Sequence, residues 1–373
     1  MDFLFLASFS EIMSYVGYIL LAVLILMIMI TVHEFGHYIA GKIFHFGIEE
    51  FAIGFGPKLF SRRNKSGELF SIRALPLGGF CGFKSEDEDN DDPDAFNNKK
   101  PWQRIIVLVS GALMNYVLSV IVIMLMFGIY GQSTLMTYKI TPTTEYASEY
   151  CLADKDILLS ANGKSAYMTS DIMKNIGGKE KGDTVEFLVR RGGEDVVVNV
   201  KLRTDTHFKN LEDVQKLYDA LGIAYQLDEE GNVGNVALYS TGVKFGFFKT
   251  IGKAFEYSFV LASTVFTVLG QLITGALGIS SMGGTVTTVA VTANAIKLGG
   301  FRYFLNMTSF IGVNLALFNL LPIPALDGSK VVFTGIEWIR KKPISRRIEN
   351  LIHTIGFALL LLFAVFVDLQ QCF

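Results

Sequence analysis

From Tyr15 to Val32 the chain carries no charged residue, and the run ends in "TVHEFGHYIA" (31–40), where two histidines flank a glutamate. At about 1.5 Å rise per residue, a helix over this stretch crosses most of a bilayer core. Ionisable side chains at the end of such a run are expensive in hydrocarbon, so by default they mark a functional site. On a helix His33 and His37 stand at i and i+4 on one face and can share one ion, with Glu34 beside them. That is the H-E-x-x-H arrangement, in which the histidines hold zinc and the glutamate serves as general base. The competing reading makes them helix-end residues near the headgroups. The pattern discriminates only when a third ligand is found.

The rest of the chain shows where to look. It has 373 residues, 51% of them hydrophobic, yet 18% are charged, which reads as a membrane protein with a soluble part. A formal net charge of −2 gives no sign of nucleic-acid binding. Cys81, Cys151 and Cys372 are far apart and indicate neither a disulfide framework nor a cysteine metal site. No basic residue precedes Lys42, so the first span is read as retained and not as a cleaved signal peptide.

Four spans are expected from apolar length, at about 15–44, 105–129, 303–326 and 351–367. Lys and Arg cluster in the 45–104 loop and in "IRKKPISRR" (339–347), which makes both connectors cytoplasmic and both termini external. A fifth apolar run, 257–273, follows the amphipathic "KFGFFKTIGKAFEY"; parity of crossings reads 245–275 as interfacial or re-entrant. Between the second and third spans, Asn162-Gly163 and Gly192-Gly193 separate alternating apolar runs, which is hairpin chemistry and implies a small mixed domain on the outer side. The expected parts are therefore 1–137 (two spans, the H-E-x-x-H site and a cytoplasmic loop), 138–203 (the extracytoplasmic domain), 204–300 (an interfacial, amphipathic linker) and 301–373 (the last two spans). The acidic run "SEDEDNDDPD" (85–94) lacks the glycine and closing glutamate of a calcium loop and reads as solvated.

The third ligand is sought in "NLLPIPALDG" (319–328). Pro322 and Pro324 must unwind a helix, which membrane depth tolerates only inside protein or beside water. Asp327 follows at the inner end of a span that runs parallel to the first, so its carboxylate can reach the depth of His33 and His37. Two histidines and an aspartate leave a fourth zinc position open, as catalysis requires. Asn314 and Asn319 lie in the third span and Asn115 in the second. Singly each reads as a helix-knitting hydrogen bonder, while together with a broken helix they suggest a peptide-handling cavity. Gly111, four residues before Asn115, allows close helix approach. His45 reads as interfacial, and His207 and His353 show no partner pattern.

"HEFGH", "GALMN", "PLGGFCGF" and "NLALFNLLPIPALDG", taken in that order with the strand-rich insert, resemble the site-2 protease family of intramembrane zinc metalloproteases. Within it they resemble the bacterial regulator-of-sigma-E-protease group with one PDZ domain. The resemblance implies a polytopic α-helical membrane protein with an inserted α+β PDZ-like domain and a membrane-dipping β segment. It implies zinc on His33, His37 and Asp327, Glu34 as catalytic base, and Asn314 and Asn319 positioning substrate or the developing oxyanion. Substrate is expected to add as a strand along "IRALPLGGFCGF" (72–83), at Gly78 and Gly79. The implied partners are the bilayer of the bacterial plasma membrane and single-span membrane proteins, such as an anti-sigma factor or remnant signal peptides, trimmed outside by an upstream site-1-type protease. The chain departs from the family at "SSMGGTV" (280–286), at Ser329 in "LDGS", and at Cys151 where a glycine is usual. The insert reads as a size filter more than as a peptide-tail receptor. Two rivals are a non-catalytic PDZ-bearing membrane scaffold, which need not keep Glu34, and a metal transporter, which would spread ligands along a path.

Overall fold

The computed structural model describes residues 9–85, 92–208, 213–227, 233–236, 238–275, 278, 283–342 and 344–370. Parts of the acidic run, of 280–286 and of the C-terminal tail with Cys372 lie outside them. The chain divides into two compact units, one of residues 1–125 with 254–373 and the other of 126–253.

The first unit is built on helices α1 (Phe9–Ile43), α2 (Pro101–Tyr130), α5 (Phe247–Ile273), α6 (Thr285–Leu320), α7 (Asp327–Arg340) and α8 (Arg346–Gln370), of which α2 and α5 run across the boundary between units. Leu20, Leu24 and Ile28 of α1 and Leu359, Leu361 and Leu362 of α8 face outward. Helices with apolar exteriors belong in lipid. Among the described residues five helices are long and apolar enough to cross a membrane: Met13–Ile43, Pro101–Tyr130, Phe247–Leu272, Thr285–Leu320 and Arg347–Gln370. The third of these is the run read from sequence as interfacial, so length and composition alone give one candidate more than the four expected. The structure is that of a polytopic membrane protein with an inserted sheet domain. α6 ends at Leu320, short of the expected 326, because Pro322 lacks the amide that would continue it. Gly300 (φ 59°, ψ −144°) interrupts the same helix and sets 301–320 apart from its first part.

Strands β1 (Ile48–Arg63) and β2 (Leu69–Phe83) each bend and pair antiparallel as segments. The stretch Ile48–Ile53 pairs with Gly79–Phe83 on one side and with Leu69–Ile72 on the other, while Lys58–Arg63 pairs with Leu69–Arg73. The bends fall at Gly54, Gly56 and Gly78, all at positive φ. Segment 79–83 thus lies at an edge.

The second unit is a sheet in the order β10 (Leu238–Val243), β3 (Gln132–Thr137), β4 (Ile157–Ala161), β6 (Thr184–Arg191) and β7 (Glu194–Lys201), with β5 (Lys164–Ser165) on β4. Helices α3 (Thr169–Ile176) and α4 (Val214–Leu221) share its core. A separate short pair, β8 (Tyr225–Leu227) and β9 (Val233–Val236), completes it. Val185, Phe187 and Val189 of β6 are fully buried while Thr184 and Glu186 are exposed, the period-2 signature of a half-buried strand. Asn162-Gly163 and Gly192-Gly193 close their hairpins with positive φ at both residues, as the two-residue turn demands. The sheet extends past 138–203 at both ends, because β3 and β10 pair across an insertion whose strands are adjacent only in space.

Candidate metal centre

His33 and His37 project from one face of α1 toward α2, where the meeting surface is glycine. A Cβ on Gly111 would lie 2.5 Å from His37 Nε2 and 2.8 Å from His33 Cε1. A Cβ on Gly36 would lie 2.4 Å from the Ser110 carbonyl oxygen. Small residues on both helices therefore bring the backbones close enough to sheath the two rings. His33 and His37 are 7% and 6% exposed. His37 Nδ1 donates to the Val107 carbonyl at 2.8 Å, which assigns the proton to Nδ1 and leaves the Nε2 lone pair for the site.

Asp327 arrives from the far end of the chain. After α6 stops, Ile323 N–H bonds the Leu321 carbonyl and Leu326 N–H bonds that of Ile323, a tight turn that starts α7 with Asp327 as its first residue. Gly328 is required here, since a Cβ would meet the Leu321 carbonyl oxygen at 2.3 Å. A carboxylate on the first turn of a helix also faces the positive end of the helix dipole. The resulting triangle has His33 Nε2 to Asp327 Oδ2 at 2.9 Å, His33 Nε2 to His37 Nε2 at 3.1 Å, and His37 Nε2 to Asp327 Oδ2 at 3.3 Å.

These three donors suit zinc. Bonds of about 2.0–2.1 Å in tetrahedral array put neighbouring ligands about 3.3 Å apart. The set is nitrogen, nitrogen and carboxylate oxygen, the mixture that three-ligand catalytic zinc sites use. The three residues form the cluster of metal-ligating type among the described residues.

Of the other residues expected at the site, Asn319 is beside it, with Nδ2 3.3 Å from His33 Nδ1. Glu34 turns to the β hairpin, where its Oε2 accepts the Cys81 N–H at 3.0 Å. Gly79 lies against the same side chain, and a Cβ there would be 3.5 Å from Glu34 Cγ. Gly78 serves the hairpin itself, at φ 113° and stacked on Phe55, whose ring a Cβ would enter. Asn314 bonds back to the Phe310 carbonyl of its own helix at 2.8 Å. Asn115 is fully buried one turn from Gly111, and neither atom of its amide has a hydrogen-bond partner among the described residues. Sequence reasoning did not find the Val107 carbonyl or the Cys81 amide, because backbone groups carry no side-chain signature. His353, which showed no partner pattern in sequence, accepts the Ala325 N–H at 3.1 Å.

Residues 21–363 match the model of peptidase family M50. The chain belongs to peptidase family M50, the site-2 proteases. A Clostridium perfringens protein carrying a zinc metalloprotease name is 33% identical over 95% of this chain and 98% of its own. Similarly named proteins from Clostridium acetobutylicum (29% identical, 95% and 96% covered) and a Nostoc species (30%, 95% and 95%) align as fully. This M50 peptidase is a zinc metalloprotease of the membrane.

Proposed function

We propose that this M50 peptidase is an intramembrane endopeptidase that cleaves the transmembrane segments of single-span proteins. It is read as a member of the regulator-of-sigma-E-protease group, in the bacterial plasma membrane. The observation that carries this reading is the triangle of His33, His37 and Asp327 beside Glu34, set at the end of a helix whose exterior is apolar. When bound, zinc supplies Lewis-acid polarisation of the scissile carbonyl and of the attacking water. Glu34 takes the water's proton on its carboxylate and returns it to the leaving amine. The Asn319 amide stands close enough to His33 to orient the ring and a substrate carbonyl. Asn115, whose buried amide has no partner among the described residues, supports a polar contact with an unwound substrate. Asn314 is proposed as a weaker substrate contact that must first leave the Phe310 carbonyl.

A helical peptide bond is shielded by its own hydrogen bonds, so substrate must be cleaved extended. Among the described residues, segment 79–83 pairs with β1 on one side only. Its Cys81 N–H donates to Glu34 and not to β1, so its outer edge is presented to the proposed base. This supports strand addition along Gly78, Gly79 and Cys81. The four-span layout with α5 at the interface, external termini and an external sheet unit follows from the basic connectors. The sheet unit then acts as a PDZ-like size filter, admitting chains already trimmed by another protease.

The test is cleavage of a model single-span substrate, together with zinc per protein after dialysis, in wild type, His37→Ala and Asp327→Ala. Both variants are expected to lose activity and metal. Full zinc occupancy in Asp327→Ala would place the third ligand elsewhere and defeat the assignment.

A further inference from the structure

The turn that delivers Asp327 is held in a conformation its sequence does not favour. Ala325 has φ 78°, in the left-handed region where an L side chain is strained, and such a residue persists only when its surroundings over-determine it. The surroundings come from α8. His353 Nδ1 accepts the Ala325 N–H at 3.1 Å, and its ring packs edgewise on Phe333 of α7, with centroids 5.7 Å apart. Three residues on, on the same face of α8, Gly356 abuts Pro324. A Cβ there would lie 2.3 Å from Pro324 Cβ and 3.1 Å from the Pro324 carbonyl oxygen. One stripe of the last helix is thus laid on the Pro324–Ala325 peptide, two residues before the carboxylate.

We propose that His353 is a positioning residue of the metal centre: by accepting the Ala325 N–H it fixes the turn that holds the Asp327 carboxylate against His33 and His37. The inference rests on reading those three residues as the zinc site. It explains why a histidine on a helix far from H-E-x-x-H in sequence is turned toward the loop before Asp327. Acceptance at Nδ1 assigns the ring proton to Nε2, and His353 lines a cavity of about 350 Å³ together with Ala325, Arg104, Lys330, Glu349 and Asn350. Water from that cavity can solvate the Ala325 amide once the imidazole is gone. Loss of the ring therefore loosens the turn without unfolding the helices around it.

Two substitutions separate the hydrogen bond from mere packing. His353→Asn keeps an acceptor, since Oδ1 is as many bonds from the backbone as Nδ1, but loses the ring. His353→Leu keeps apolar bulk against Phe333 and loses the acceptor. Full-length protein in detergent is loaded with zinc and challenged with a chelator, and exchange of the amides in 321–328 is followed in zinc-free protein. His353→Leu is expected to lose about 10- to 100-fold in zinc affinity, the usual cost of removing a group that orients a metal ligand. Its Ala325 amide should exchange faster than that of wild type, whereas His353→Asn should stay close to wild type in both readouts. Wild-type behaviour of His353→Leu, or equal impairment of both variants, overturns the proposal. His33→Ala distinguishes the two levels. If it retains as much zinc as wild type, the metal reading itself fails, while a zinc-depleted His33→Ala beside a normal His353→Leu defeats the clamp alone.

Discussion

In the sheet unit the largest fully buried side chains are apolar, Leu158, Ile172, Ile176, Phe187 and Leu202 among them, and the buried Thr134, Thr137, Asp156 and Thr206 are each hydrogen-bonded. In the helical unit Asn115, Ser119 and Ser309 are fully buried beside Ile25, Met29 and Ile123, while Leu20, Leu125 and Leu362 face outward. The sheet unit is assembled by removing apolar surface from water. The spans of the helical unit gain little that way, because lipid is as apolar as leucine, and they rely more on close backbone approach. Gly36 on Ser110, Gly111 on the imidazoles and Gly312 on Ser119 and Met29 leave no room for a Cβ. The same chain thus follows two packing rules, and His33 and His37 sit where small residues, not large ones, set the distances.

The sharpest test of that contrast is chemical. Glu34→Gln should lower cleavage about 10³-fold or more, within the range general-base removal produces, with zinc per protein and sheet-unit stability unchanged. A variant with near-normal turnover would remove Glu34 from the mechanism. Next, Phe187→Ala in the centre of the sheet should destabilise that unit by about 3–5 kcal/mol, the cost of a large cavity in an apolar core. Limited proteolysis within 132–243 should report this, while cleavage of a pre-trimmed substrate persists. Loss of zinc in this variant would show that the two units are not separable in function.

Gly111→Ala reverses the usual preference for alanine in helices. The added methyl meets His37 Nε2, so zinc affinity should fall by about 10- to 100-fold. Gly128→Ala in the same helix, with nothing within 4 Å of its Cβ, should be neutral or slightly stabilising. Equal behaviour of the two would undo the claim that glycines set the site's dimensions.

The smallest effect concerns the base of the β hairpin. Burial alone would raise the Glu68 carboxyl, but hydrogen bonds from Lys42, Asn64 and Tyr38 outweigh it and hold the group below the ordinary glutamate range. A depressed acid contributes stability above its unfolded value of about 4.3 and loses it as pH falls through the lower folded value. Protection of the Asn64–Glu68 turn amides, relative to their intrinsic exchange rates, should therefore fall below about pH 4 in wild type. Glu68→Gln should abolish that pH dependence.

Read alone, the chain determined the zinc-metalloprotease class and named the candidate ligands. H-E-x-x-H places two imidazoles and a carboxylate on one helix by the 3.6-residue period, two prolines announce the helix break, and Asp327 follows it. Alternation and paired turn residues were equally plain in β6 and β7. Each of these signals is local, set by the backbone geometry of a few neighbouring residues. What only the tertiary structure decided is which groups meet across hundreds of residues. The Val107 carbonyl sets the His37 tautomer, Cys81 bonds Glu34, β10 joins β3, and His353 reaches Ala325. Contacts of that kind depend on where helices cross, and crossing is governed by shape complementarity between surfaces whose residues are scattered in sequence. A glycine that sheaths an imidazole and one that touches nothing are the same letter until the neighbouring helix is in place.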